Sequence, residues 1–177
     1  NHHAIRAYAA TYFQYRGSRE RALHLWRSIL EEDPNRTEAI LVDLFRFYKE
    51  SSFLLEVAPR KQTGDLVRFQ EFLNTVQRKD WGKGVYLKTL PLLIETAQRK
   101  PENEELLHMI AKTYEIAGQY QDSYFWYQKA FRMATTQKSR AYVVHQIGDL
   151  FMRQRRLLEG RSFLETHLSL SSFEPGI

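Results

Sequence analysis

Three times in this chain two small residues stand twelve positions apart: Ala10 with Ala22, Ala111 with Ser123, and Gly148 with Gly160. Large and turn-forming residues fall at matching offsets around each pair. Phe13, Gly17, Trp26, Ile29 and Pro34 accompany the first, Tyr114, Gly118, Tyr127 and Ala130 the second, and Val144, Ile147, Phe151 and Leu164 the third. A small residue on each of two helices lets their backbones approach, and the turn residue between them reverses the chain. The pattern predicts helical hairpins, repeated so that each covers the apolar face of the next. Apolar residues recur at helical spacing nearly throughout and no stretch alternates with period two, so the fold class is all-α.

The periodicity predicts helices over about 3–15, 19–31, 37–50, 65–79, 84–99, 102–117, 120–134, 138–153 and 156–169. Breakers separate them: Gly17-Ser18, Asp33-Pro34-Asn35, Gly82 and Gly84, Pro101, Gly118, and the tail Pro175-Gly176. Ser18 and Thr37 are the expected N-caps, with Glu38 adding favourable charge to a first turn. Residues 51–64 are irregular. Phe53-Leu54-Leu55 there suits one or two helical turns before Pro59 stops them. Pro91 is expected either to kink the helix at 84–99 or to mark its true start.

With 43% hydrophobic and 27% charged residues, the 177-residue chain has a globular balance, which excludes disordered and collagen-like classes. It has no run of the roughly 18 apolar residues that a membrane span needs. The absence of Cys excludes disulfides, thiolate metal sites and a Cys nucleophile. Missing an initiating Met and a leader-like opening, the sequence reads as a piece of a longer protein. The net charge of +5 is concentrated in the middle of the chain, around Arg60, Lys61, Arg78, Lys79, Lys83, Arg99 and Lys100. A smaller knot comprises Arg153, Arg155, Arg156 and Arg161. Much of this charge sits where helix C-termini favour cations.

With its small–aromatic–small–aromatic order and the junction Asp33-Pro34-Asn35-Arg36-Thr37-Glu38-Ala39, the chain resembles the tetratricopeptide repeat family, whose period is about 34 residues. Weaker copies run through Leu41, Leu44, Phe45 and Tyr48, and through Phe69, Phe72, Leu73 and Val76. Arg6, Phe45, Leu73 and Thr135 depart from the family pattern. The resemblance implies about five hairpins in a right-handed superhelix over 1–170, approximately 3–34, 37–62, 65–100, 102–135 and 138–170. The second is irregular at 51–64, and 171–177 forms a tail.

No catalytic motif accompanies this pattern, so no enzyme activity is expected. Gly82-Lys83-Gly84 lacks the spacing and the Ser/Thr of a phosphate loop, and Ser, His and Asp occur without a nucleophile elbow. His108 and His145 occupy equivalent places in consecutive repeats. One imidazole pair is a weak ligand set, so no metal and no cofactor are expected. Tyr124-Phe125-Trp126-Tyr127 sweeps most of a helical circumference, so its rings cannot all face one seam. Either neighbouring repeats cover the outer rings, or Phe125 and Trp126 form a contact on the convex side.

In the family the first helix of each hairpin lines a concave surface. The resemblance thus implies a partner-binding set of Tyr15, Gln70, Asn74, Gln77, His108, Lys112, Tyr142, His145 and Arg153. Aromatic, amide and cationic groups of this kind suit a peptide: amides bond its backbone, and Lys112 and Arg153 attract carboxylates. Ala7 and Thr11 do not supply the Lys/Asn set with which some members clamp a C-terminal carboxylate. The expected function is a non-catalytic scaffold binding a protein or peptide partner, one part of a larger and possibly membrane-anchored assembly. The alternative is RNA or other nucleic acid bound by a basic helical solenoid, and self-association through a terminal hairpin or 51–64 is a further possibility. The sequence does not fix the compartment: a soluble part of this kind is compatible with the cytoplasm or with an envelope association through an anchor elsewhere.

Overall fold

The structure, a computed structural model, describes residues 2–48, 50–76 and 84–168. Gln77, the Trp81–Gly82 turn, the cations Arg78, Lys79 and Lys83, and the tail 171–177 lie outside the described residues. Ten α-helices and two short 3-10 turns, with no strand, make up the described residues, as the all-α reading expects. The helices are α1 (His2–Tyr15), α2 (Arg19–Glu32), α3 (Thr37–Tyr48), α4 (Leu54–Val57), α5 (Thr63–Val76), α6 (Leu90–Arg99), α7 (Glu104–Ile116), α8 (Tyr120–Met133), α9 (Gln137–Arg153) and α10 (Leu157–Leu168). The chain divides into two compact units, 1–96 and 97–177, with the boundary inside α6.

In the first unit α1 packs on α2 through the small pair, for Ala10 and Ala22 are both fully buried. The turn between them closes in one specific way: the Gly17 N–H reaches the Gln14 carbonyl, and the Ser18 N–H reaches the Phe13 carbonyl. This arrangement satisfies two carbonyls that a helix end leaves open, and it needs a left-handed residue, here Gly17 at φ 76°. Ser18 makes no side-chain cap, because its ψ of 66° turns the hydroxyl from the first-turn amides. Thr37 likewise turns back, donating its hydroxyl to the Pro34 carbonyl at 2.7 Å. The side-chain caps lie elsewhere: Asn103 accepts from the Leu106 N–H at 2.8 Å, and Thr136 from the Ser139 N–H at 3.1 Å.

The irregular stretch is a packed part of this unit. One helical turn, α4, forms before Pro59, and Phe53, Leu54, Val57 and Ala58 are fully buried. Phe53 meets Phe45 at 4.9 Å, and α4 lies against α2. Arg19 ties the rim, bonding Glu50, Ser52 and Glu56 while its guanidinium covers the Tyr48 ring at 5.1 Å. Between 84 and 99 a 3-10 turn, Val85–Leu87, precedes α6, which starts at Leu90. Pro91 therefore marks the true start of the helix. It has no N–H to donate, and its ring would clash with the carbonyl four residues back in a continuous helix.

In the second unit α7 pairs with α8, α8 with α9, and α9 with α10. Ala111 and Ser123 are fully buried, as the small pair requires. Gly148 and Gly160 are tighter still. A Cβ on Gly160 would stand 2.9 Å from the Phe151 Cβ, and one on Gly148 would stand 2.9 Å from a Leu164 methyl. The turns repeat the first hairpin's closure, with Gly118 bonding Glu115 and Gln119 bonding Tyr114, then Arg155 bonding Met152 and Arg156 bonding Phe151.

Candidate functional site

The sequence-implied residues separate into three groups by their surroundings. Gln70 and Asn74 do not line an open face. Gln70 is 0% exposed; its amide donates to the Asn74 side chain at 3.0 Å and to the Tyr86 carbonyl at 2.8 Å, and the Thr89 hydroxyl bonds its oxygen. An amide removed from water must find such partners, and here they fasten the 85–87 turn to α5. Trp126 is likewise corrected. It is 9% exposed, whereas its neighbour Phe125 is 58% exposed, so Phe125 stands out and Trp126 packs inward. Tyr124 faces Phe151 at 5.7 Å and Tyr127 is fully buried, which accounts for the whole aromatic run.

The second group gathers on α7, α8 and α9. Its centre is Glu115, on α7, whose side chain is 2% exposed. Three donors converge on that carboxylate: the Tyr127 hydroxyl at 2.8 Å, Lys112 at 3.2 Å and Arg153 at 3.3 Å. A buried carboxylate without partners would lose several kcal/mol of hydration, roughly, so these donors are what make the position tenable. Burial first, and Glu115 second, push the Tyr127 hydroxyl well above the ordinary phenol range, leaving it a permanent donor. Lys112 and Arg153 thus hold an internal carboxylate rather than standing free for a ligand's. Glu115 was missed as an organising residue, yet a signal existed: a polar residue on a first helix, twelve before a ring on the second. Gln14 and Trp26 repeat it in the first unit, where the indole N–H donates to the Gln14 side chain at 3.3 Å.

Around this centre lie rings of opposite character. Tyr142 is exposed and lies 4.9 Å from the ring of His108, which also borders Tyr127 at 5.5 Å. His108 is mostly covered, and its Nε2 has no hydrogen-bond partner. Burial, reinforced by the Lys112 charge, lowers its pKa to about 4, so the ring is neutral near pH 7. His145 is exposed and faces Asp149 at 3.5 Å. The two histidines occupy unlike environments: His108 is a packing group, and His145 an open one.

The third group belongs to the first unit. Tyr15 is exposed and meets Phe47 edge-on at 5.4 Å. Both rings line a cleft of about 350 Å³ with Thr11, Gln14, Trp26, Asp43 and Arg46. Among the described residues no three His, Cys, Asp or Glu side chains gather as a metal site, and no helix is long and apolar enough to cross a membrane. No protein-family model matches this chain, nor does a curated protein or a solved structure.

Proposed function

We propose that this chain is a non-catalytic helical scaffold, similar in plan to tetratricopeptide repeat proteins, that holds a segment of a protein partner. The observation that carries this reading is the Glu115 centre with Tyr142 and His145 beside it. Two cations are anchored there by an internal carboxylate, an exposed ring lies against a buried one, and an imidazole is open for hydrogen bonding. Such a face recognises a peptide by stacking and by hydrogen bonds to its backbone. Lys112 and Arg153, already held by Glu115, have less side-chain freedom to lose on binding. The right-handed superhelix and a place in a larger, possibly membrane-anchored, assembly belong to the same proposal. Arg6 pairs with Glu32, Arg19 with Glu50, and Lys61 with Glu31, which favours a protein partner over a phosphate backbone.

The test changes Tyr142 and His145, because altering Lys112 or Arg153 would strip Glu115 of its partners. Wild type and a Tyr142→Ser/His145→Ser variant of equal helicity are used to capture proteins from native lysate. A partner held by wild type and lost, or at least tenfold weaker, with the variant is the expected result. Equal capture by both would overturn the assignment of this face.

A further inference from the structure

The cleft lined by α1, α2 and α3 takes one aromatic ring from each helix. Tyr15, 77% exposed, and Phe47 meet at 84° with their centroids 5.4 Å apart, so the two rings form an open corner. The third ring, Trp26, is 8% exposed and lies deeper, its indole N–H held on the Gln14 side chain at 3.3 Å. The faces of such rings carry partial negative charge, and a cation within about 6 Å of a centroid is drawn to them. Asp43 is the one carboxylate among the described residues lining the cleft. Its partner Arg46 stands 3.7 Å away, beyond hydrogen-bond reach, and both side chains are open to water, so little holds that pair together.

The second unit shows the same place in the repeat put to use. Glu115 and Tyr127 stand there where Gln14 and Trp26 stand here, and the next first helix, α9, brings Arg153 to the carboxylate. In the first unit the next first helix, α3, brings the Phe47 ring and Asp43. One unit fills this place with its own cation; the other surrounds it with rings and a carboxylate. This side of α1 is also distinct from the side that a preceding hairpin covers. Helix α9 does have a helix packed ahead of it, α8, and its residues at the places of Gln14 and Tyr15 are Met152 and Arg153, both exposed.

The corner decides the kind of cation. A flat guanidinium stacks on only one of two perpendicular ring faces, whereas a rounded ammonium presents its charge to both. We propose that this cleft is a binding site for an alkylammonium group, the lysine side chain of a partner segment. N-methylation of that lysine tightens the contact, because methyl groups thin the hydration shell that the cation sheds on entering. The site belongs to the first unit and is independent of the Glu115 face.

The test titrates the full, isotope-labelled chain with small probes and follows the Trp26 indole N–H by NMR, the signal being assigned by its loss in Trp26→Phe. The probes are N-acetyl trimethyllysine amide, its neutral isostere with carbon in place of the ammonium nitrogen, and N-acetyl glutamate amide. The trimethyllysine probe should shift the Trp26 signal and bind about fivefold or more tightly than the isostere. Tyr15→Leu and Phe47→Leu, which keep apolar bulk but remove a ring face, should each weaken it about fivefold at unchanged helicity. Asp43→Asn should weaken it about threefold. Equal binding of probe and isostere would make the cleft merely apolar and overturn the proposal. Tighter binding of the glutamate probe would hand the site to Arg46 and overturn it too. So would the absence of saturable binding, or an affinity for the trimethyllysine probe that Tyr15→Leu and Phe47→Leu leave untouched.

Discussion

At position 155 the chain pays a local penalty that its other two turns avoid. Gly17 and Gly118 close their hairpins at φ 76° and 74°, and Arg155 closes the third at φ 58° with the same pair of backbone bonds. A side chain there crowds its own carbonyl, whereas glycine meets no such contact. Arg155→Gly should therefore raise stability by about 0.5–1 kcal/mol, a Tm gain of a few degrees by thermal unfolding. An unchanged or lower Tm would show that the turn is not strained. The three turns were legible in the sequence through the small pairs, because close approach leaves room for little else: Gly160 cannot gain even a methyl without pressing on Phe151. The Arg155 conformation was not legible, since arginine gives no sign of a left-handed turn.

Among the helices, legibility followed the local pattern and failed where distant contacts decide. The boundaries of α2, α7, α8 and α9 lie within one or two residues of the periodicity, which their own apolar stripes dictate. Gln70 and Asn74 look like surface residues on α5, and their burial comes from the 85–87 turn, sixteen residues further on for Gln70. His108 was misjudged for a similar reason, because Tyr127 and Tyr142 cover it from other helices. That covering has a consequence for pH. The folded-state pKa of His108 is about 4 against 6.5 for a free imidazole. As pH falls below 6.5 the unfolded chain takes up the proton first, while the folded chain does so only near 4. The stability tied to His108 is thus complete above 6.5, falls through the window down to 4, and is level below it. It amounts to about 3 kcal/mol at most. His145 and the other titrating groups remain in a His108→Leu variant, so the comparison isolates this ring. Thermal unfolding between about pH 7.5 and 4.5 should show wild type losing several degrees more than His108→Leu. Parallel profiles would contradict the assignment.

Across the whole molecule one device recurs: a polar residue on a first helix bonded to a ring twelve residues on, Gln14 to Trp26 in one unit and Glu115 to Tyr127 in the other. It helps to fix these two hairpins from within. The repeat was legible because small, aromatic and turn residues recur at one spacing. The candidate face was legible only in part. In the second unit Tyr142 and His145 are open, whereas Lys112 and Arg153 are engaged by a carboxylate whose burial depends on three helices; Tyr15, in the first unit, is open on its own. The most direct measurement places a photo-cross-linking phenylalanine analogue at position 142 in one sample and at position 125 in another, and exposes both to native lysate. The scaffold reading predicts a discrete protein adduct from position 142 and none from 125. An adduct from 125 alone, or from neither position, would contradict it.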